Sequence, residues 1–361
     1  MKNINHHYVP ILRTKAGEWN ALLDLHNCTD INLDHVTPLI EIIPSSFFRK
    51  DTQPIPPKTV LKKISNNIGT KWGYNNFIFV DGWHIDGAIV TENEHPMEYL
   101  FQQGRCWNYR QIPVTGINRS IIYENSIRNI LSVDKNGLCI RVMHDDFQRG
   151  GLTKEISSLL ARMNIEPTKV DLLVDLQVID SENQPDFWEL YQRIPMINEW
   201  RSFILASGAF FEYPSKVVGP FQEFQWPRED WLYWKNVIAN GEGIRIPSYG
   251  DYTVQYAKYI EPPEHITPSA NIRYTSDDYW ILMRGESLRK GQKYGQYPDL
   301  AQLLCARKEF SGKHFSAGDK YIFEIGHRLI PGTGSPQTFI TAGINRHISY
   351  VMYQLSNLPY V

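Results

Sequence analysis

The chain has 361 residues, of which 42% are hydrophobic and 21% charged, and its formal net charge is −2. This length predicts two or three domains, or one α/β barrel of about 250 residues with an addition. The near-zero charge excludes a nucleic-acid binder whose affinity comes from a strongly basic surface, although a local basic groove stays open. No apolar run reaches the roughly 18 residues that span a bilayer, and the sequence does not open on an apolar signal segment.

The four cysteines are far apart in the sequence and form no C-x-x-C pair; they are Cys28, Cys106, Cys139 and Cys305. This pattern argues against a zinc ribbon and against a disulfide scaffold. We therefore expect a protein of the reducing cytoplasm that does not associate with membranes.

Short apolar or β-branched runs alternate along the chain with longer segments of helical spacing, such as the one that carries Trp19, Leu22 and Leu23. Each run and the segment after it are long enough for one strand, a loop and a helix. The predicted strands are residues 8–12, 36–43, 77–81, 112–117, 138–143, 170–176, 202–206 and 243–246, with 271–275 as the alternative for the eighth. The sequence thus predicts an α/β fold, a (βα)8 TIM-like barrel, with an open doubly wound sheet as the alternative.

The last hundred residues break this alternation. Three prolines at positions 262, 263 and 268 mark the change. The segments after them predict a strand or a hairpin over 272–285, a helix over 298–306, a strand over 320–325 and a closing helix over 344–355. We therefore predict a barrel over residues 1–260 and an α+β addition over residues 261–361 that packs on the barrel.

Four charged residues interrupt otherwise apolar strands. Glu41 lies in P-L-I-E-I-I, Asp81 ends F-I-F-V-D, Arg141 lies in C-I-R-V-M, and Asp175 lies in L-L-V-D-L. Burying a charge is costly unless the charge is paired or bound to a metal. Since side chains alternate along a strand, we expect these four to point into the barrel and to meet near its carboxyl end, where barrel enzymes keep their active sites.

Two interpretations of this cluster stay open. In the first it is an active site, in which the three carboxylates hold Mg²⁺ or Mn²⁺ or serve as acid and base, and Arg141 binds a phosphate or a carboxylate. In the second it is a buried ion-pair network that fixes the barrel geometry. The candidate catalytic residues are Lys15, Glu18, Glu41, Asp81, Arg141 and Asp175, and the candidate metal ligands are Glu41, Asp81 and Asp175. Ser207, after the seventh predicted strand, would lie at the rim of the same site.

The opening Y-V-P-I-L-R-T-K-A-G-E-W-N-A-L at residues 8–22 resembles the start of the beta protein family, which is named for a T-even phage protein. Further similar segments are T-P-L-I-E-I at 37–42, G-D-Y at 250–252, R-Y-T at 273–275, F-S-A-G-D at 315–319 and G-I-N-R-H at 343–347. The resemblance spans nearly the whole chain. It departs at Phe339 and Ile340, where the family pattern has a Trp-Arg pair, so the role of that arginine is in doubt here.

The resemblance implies a barrel-type protein of phages and bacteria that is found near mobile or antiphage-defence genes, and it names no reaction. It supports Lys15, Glu18 and Glu41 as site residues. It also adds candidate ligand-binding residues to Ser207, namely Asp251, Tyr252, Arg273 and His347.

Three hypotheses of function follow. The first is a metal-dependent hydrolase, similar to a phosphodiesterase, that acts on a phosphate-containing or nucleotide ligand. The second is a non-catalytic component of a defence or phage complex that docks a protein or a nucleic acid through its Trp- and Tyr-rich C-terminal region. The third is a small-molecule sensor without turnover.

Overall fold

The computed structural model describes residues 7–27, 32–44, 55–88, 94–261 and 268–358. Its eleven strands in these ranges are β1 (Tyr8–Arg13), β2 (Leu39–Glu41), β3 (Ile78–Asp81), β4 (Gln111–Thr115), β5 (Leu138–Met143), β6 (Val170–Val178), β7 (Ser202–Gly208), β8 (Gln222–Pro227), β9 (Ser248–Asp251), β10 (Ser269–Thr275) and β11 (Tyr279–Ser287). Eight of them close into a parallel barrel in the order β1 to β7 and then β9, which pairs with β1. The predicted α/β barrel is therefore confirmed.

Helices follow most of the barrel strands and cover the outside of the barrel. The helices of the described ranges are α1 (Ala16–Leu25), α2 (Pro57–Asn67), α3 (Pro96–Cys106), α4 (Ile121–Asp134), α5 (His144–Gln148), α6 (Leu152–Met163), α7 (Phe187–Arg193), α8 (Pro214–Val217), α9 (Glu229–Ala239), α10 (Tyr297–Cys305), α11 (Ala317–Gly326) and α12 (Pro336–Ser356). None of them is long and apolar enough to cross a lipid bilayer.

The eighth barrel strand is neither of the two segments predicted for it. It is β9, whose sequence Ser-Tyr-Gly-Asp has little strand character, whereas 243–246 lies before it and 271–275 pairs outside the barrel. Gly250 explains why this strand is not apolar and branched. A Cβ atom there would lie 3.0 Å from the Cβ of Ala206 and 3.2 Å from the carbonyl oxygen of Val9, so any larger residue would require the neighbouring strands to shift.

The core has one layer inside the barrel and another between the strands and the helices. Side chains such as Phe79, Ile112 and Leu173 fill the barrel interior. Trp231 and Trp234 of α9 lie fully buried against the outside of the barrel, where their rings stack with centroids 5.4 Å apart. These two tryptophans are therefore core residues rather than an exposed binding surface.

The C-terminal part forms a three-stranded antiparallel sheet in the order β10-β11-β8, with α10, α11 and α12 in the same part of the chain. The hairpin and the helices predicted over 298–306 and 344–355 are present. The strand predicted over 320–325 is wrong, because that segment lies inside α11. The side chain of Ser316 caps this helix by accepting a hydrogen bond from the backbone N–H of Asp319 at 3.0 Å.

The sheet of this C-terminal part takes one strand, β8, from before residue 260, and the boundary at that residue stays a prediction. Helix α12 joins the part to the start of the chain. Asn345 Nδ2 donates to the carbonyl oxygen of Ala21 (3.3 Å), and Thr341 Oγ1 donates to that of Gly17 (3.1 Å). The last long helix of the described chain thus packs on the first helix.

Candidate site at the carboxyl end of the barrel

The four charged strand residues come together inside the barrel around the guanidinium of Arg141. Its Nε and Nη2 donate to Asp175 Oδ2 at 2.9 and 2.6 Å. Its Nη1 donates to Asp81 Oδ2 at 2.8 Å, and its Nη2 donates to Glu41 Oε1 at 2.9 Å. The hydroxyl of Tyr252 accepts from Arg141 Nη2 (2.7 Å) and donates to Asp175 Oδ2 (2.5 Å). One buried guanidinium therefore holds three carboxylates.

The strand register explains why these side chains converge. Glu41 of β2 and Asp81 of β3 are direct neighbours, and Asp175 of β6 lies one strand from Arg141 on β5. Burial raises the pKa of Glu41, but the charges of Arg141 and Arg13 outweigh that effect and hold its pKa below the usual range. Glu41 is therefore ionised at neutral pH.

The carboxylates face Arg141 rather than a common cation position. Within the described residues, no group of three or more His, Cys, Asp or Glu side chains is arranged to hold a metal ion. The donor oxygens that Mg²⁺ or Mn²⁺ would need are already hydrogen-bonded to a guanidinium. The three residues predicted as metal ligands thus do not fit that role in this arrangement, and the geometry favours the ion-pair interpretation for the centre of the barrel.

A second ring of polar side chains surrounds this network, and the sequence analysis did not identify it. Arg13 Nε lies 3.2 Å from Glu41 Oε2, and its Nη2 donates to the carbonyl oxygens of Tyr256 and Ala257 (3.0 and 2.6 Å). Arg119 Nη2 lies 3.5 Å from Asp81 Oδ1. Arg13 ends β1 just as Asp81 ends β3, so the same signal could have found it, whereas the loop position of Arg119 carries no such signal.

Several buried polar atoms of this ring have no hydrogen-bond partner. They are the Nε and Nη2 of Arg119, the Nε1 of Trp83, the Nε2 of His84 and the hydroxyl of Tyr259. The His84 Nε2 lies 3.6 Å from Glu41 Oε2, which is too long for a hydrogen bond. Buried polar groups in folded proteins are nearly always hydrogen-bonded, so unpartnered donors in one place indicate a ligand or ordered water.

The unpartnered atoms belong to side chains that contact one another. The ring centroids of Trp83 and His84 are 4.3 Å apart, and those of His84 and Tyr259 are 5.1 Å apart. The guanidinium carbons of Arg119 and Arg141 lie 5.5 and 5.4 Å from the Trp83 ring centroid. We call Arg119, Trp83, His84 and Tyr259 the mouth cluster. It combines a run of aromatic rings with cationic donors.

Lys15, at the N-cap of α1, lies beside the mouth cluster, and Glu18 follows in the first turn of this helix. The Lys15 Nζ is 5.9 Å from the Tyr259 ring centroid. The Glu18 carboxylate accepts from the backbone N–H of Arg13 and, at 2.9 Å, from Gln255 Nε2. Burial raises the pKa of Glu18 to about 7, because it outweighs the opposing effect of Lys15 and Arg13. Glu18 therefore exchanges a proton near neutral pH.

Replacing Glu18 with Gln is expected to raise stability relative to wild type at pH 8 but not at pH 5. The folded pKa of about 7 lies above the value of 4.5 in the unfolded chain, so ionisation opposes folding. The stability that protonated Glu18 contributes below pH 4.5 is lost as the pH rises through about 7. Urea unfolding at both pH values measures this, with Glu189→Gln on the exposed face of α7 as control. An equal Glu18→Gln effect at both pH values would contradict the assignment.

Of the five predicted ligand-binding residues, Tyr252 alone touches the Arg141 network. Ser207 is buried in β7 opposite Asp251, in register with it. Arg273 donates to the carbonyl oxygen of Val254 at 2.6 Å, and burial lowers its pKa to about 10. It therefore stays charged at neutral pH, and its positive charge adds to the effect of burial in lowering the pKa of Lys15.

Asp251 and His347 form a separate buried pair between the barrel and α12. His347 Nε2 lies 2.7 Å from Asp251 Oδ2, and the hydroxyl of Tyr8 donates to Asp251 Oδ1 at 2.6 Å. Burial raises the pKa of Asp251, but His347, Tyr8 and a backbone donor hold it below its usual value. Burial lowers the pKa of His347, so a neutral imidazole donates to an ionised carboxylate and accepts from Thr275 Oγ1 (2.8 Å). This pair fastens α12 to the barrel.

The model of the Beta protein family matches residues 8–353, which is nearly the whole chain. The chain belongs to this family. The matched range contains the Arg141 network, the mouth cluster and the Asp251–His347 pair. A comparison with curated proteins found no significant match.

The solved structures similar to this beta protein are distant. One is SacUVDE, at 13% identity and a TM-score of 0.31, covering 70% of this chain and 94% of that one. Another is the C-terminal domain of a putative chitinase from Desulfitobacterium hafniense DCB-2, at 10% identity and a TM-score of 0.28. This match covers 88% of this chain and 99% of that one. A third is the spore cortex-lytic enzyme SleL of Bacillus megaterium QM B1551, at 10% identity and a TM-score of 0.25. This match covers 82% of this chain and 68% of that one. These scores are too low to bear on function.

Proposed function

We propose that the carboxyl end of this barrel binds a small phosphate-containing ligand of the nucleotide class. The observation that carries the proposal is the set of buried, unpartnered donors in the mouth cluster. The Arg119 side chain is only 7% exposed, yet two of its three nitrogens have no hydrogen-bond partner among the described residues. A guanidinium desolvated in this way gains most from an anionic oxygen, to which it can donate two parallel hydrogen bonds.

The charges around the mouth cluster balance when Glu18 is ionised and favour an anion when Glu18 is protonated. The cations Arg13, Lys15, Arg119 and Arg141 face the carboxylates of Glu18, Glu41, Asp81 and Asp175. Because Glu18 has a pKa of about 7, this balance becomes positive whenever Glu18 is protonated. Binding a phosphate would favour the protonated form of Glu18, which would place a proton donor beside the ligand.

The aromatic rings support a planar group on the ligand in addition to the anion. Trp83, His84 and Tyr259 lie in a continuous row, and nucleobases stack on such side chains. The indole N–H of Trp83 and the Nε2 of His84 would supply hydrogen bonds to base edges or to phosphate oxygens. A nucleoside monophosphate carries both features, whereas inorganic phosphate carries one.

Titration with AMP and with inorganic phosphate, followed by isothermal titration calorimetry, tests the proposal. AMP is expected to bind more tightly than phosphate, and Arg119→Gln is expected to weaken both by about 10- to 100-fold, since a charge-assisted hydrogen bond contributes about 1.5–3 kcal/mol. Arg162→Gln on α6, an exposed arginine paired with Glu124, is the matched control. Absence of binding by wild type, or equal binding by Arg119→Gln, would overturn the proposal.

The same wild-type and Arg119→Gln samples also distinguish an enzyme from a protein that binds without catalysis. Hydrolysis of a phosphodiester probe such as bis(p-nitrophenyl) phosphate, lost in Arg119→Gln, would support an enzyme with a phosphodiesterase-like activity. Binding without product would support a non-catalytic component of a phage or defence complex, or a sensor. The described cysteines are free, which is consistent with the proposed cytoplasmic location.

A further inference from the structure

The amino end of the barrel, opposite the mouth cluster, contains a cavity of about 420 Å³. Its lining comes from the beginnings of barrel strands: Phe79 of β3, Ile112 of β4, Asp171 of β6 and Ser202 of β7. This volume lies within the range of small-molecule sites, which is about 300–1,000 Å³. The proposed nucleotide site lies at the other end of the same strands, so the two sites are distinct.

The floor of the cavity is apolar, and one wall is polar, with polar groups that already hydrogen-bond to each other. Phe79 and Ile112 are buried residues of the barrel interior. Asp171 accepts from Arg201 Nε at 3.0 Å, from Arg201 Nη2, and from Ser202 Oγ at 2.7 Å. The Asp171 and Arg201 charges therefore neutralise each other, and this wall supplies shape rather than net charge.

The lining also contains His7, Asp34 and His35, which lie outside the Asp171–Arg201 pair. Burial lowers the pKa of His7 to about 4, and His7 Nε2 lies 2.9 Å from Thr37 Oγ1, so this imidazole is neutral at pH 7. Asp34 stands at the exposed rim, and its carboxylate has no ion-pair partner in the part of the chain that the structure describes. Arg110 stacks on Phe77 at 5.3 Å but is not a lining residue. The cavity thus combines aromatic and aliphatic walls with one unneutralised carboxylate.

We propose that this cavity binds a small organic cation with a flat apolar body, such as an arylalkylamine. The apolar body would contact Phe79 and Ile112, and Asp34 would neutralise the charge of the ammonium group. The preference is opposite to that of the mouth cluster, where cationic donors favour an anion. The barrel would therefore bind ligands of opposite charge at its two ends.

Phenethylamine and phenylacetate test the proposal as a matched pair, because they differ in the charge of the head group. Saturable binding of phenethylamine, measured by ligand-observed NMR and by chemical-shift change of the His7 imidazole, is expected, with phenylacetate at least five-fold weaker. Asp34→Asn is expected to weaken phenethylamine about five-fold and to leave the fold intact, since Asp34 is exposed. Ile112→Trp, which fills the cavity, is expected to abolish binding.

Arg119→Gln distinguishes this proposal from the one for the mouth cluster, because it is expected to leave phenethylamine binding unchanged while weakening AMP. Equal binding of the two phenyl ligands, or no effect of Asp34→Asn, would overturn the cation site. Failure of phenethylamine to bind folded wild type would overturn it as well. Loss of phenethylamine binding in Arg119→Gln would assign the ligand to the mouth cluster and would also contradict the cavity.

Discussion

Replacing Arg141 with Met is expected to lower the free energy of unfolding by about 3–5 kcal/mol. Methionine keeps much of the volume but leaves Glu41, Asp81 and Asp175 together without the guanidinium that holds them. Three carboxylates in one buried place repel each other, and those that take up a proton do so at a cost. Urea unfolding at pH 7, followed by circular dichroism, measures the loss.

Arg162→Met is the control for this experiment. Arg162 forms a comparable two-pronged pair with Glu124, but its side chain is 42% exposed, so its loss is expected to cost no more than about 1 kcal/mol. If Arg141→Met were as stable as Arg162→Met, the network would contribute nothing to the fold and the active-site interpretation of its carboxylates would return.

Arg346→Met is expected to have an effect of similar size at a different place, again about 3–5 kcal/mol. Arg346 of α12 is fully buried, and its guanidinium carbon lies 4.0–4.5 Å from the ring centroids of Tyr350, Phe315 and Tyr274. It also pairs with the buried Asp319 of α11 at 3.4 Å. Hydrogen exchange should show faster opening of α11 and α12, with the barrel strands less affected.

The matched control is Arg328→Met, which removes the exposed pair with Asp299 and is expected to change stability by less than about 1 kcal/mol. A uniform increase in exchange over the barrel strands and α12 alike would show that the C-terminal part does not open separately. That result would contradict the local role given to Arg346.

The barrel could be predicted because its strands are covered on both faces and are therefore apolar almost throughout, as in C-I-R-V-M around Arg141. The same property made the buried charges visible, since Glu41, Asp81 and Asp175 are exceptions in such a background. The sequence could not show that Arg141 lies at the centre of the three. Which carboxylate faces which donor depends on the register between strands.

The errors of the sequence-based prediction also have local causes. The Tyr-Ile-Phe pattern at residues 321–323 favours a strand, but Ser316 and Asp319 form an S-x-x-D cap that begins a helix, and the cap decides. Strand β9 was not predicted because close packing at Gly250 disfavours the branched residues that are typical of strands. The mouth cluster lies on loops after β3, β4 and β9, where side chains that are far apart in sequence meet without any periodic signal.

The contacts between α1 and α12 have a consequence for biosynthesis. Asn345 and Thr341 bond to backbone groups that lie 324 residues earlier in the sequence. During translation, α1 leaves the ribosome long before α12 exists, so the apolar surface that these helices share is uncovered for most of synthesis. Contacts of such high sequence separation form slowly. The nascent chain would thus depend on chaperones or on rapid closure of the barrel to avoid aggregation while that surface is exposed.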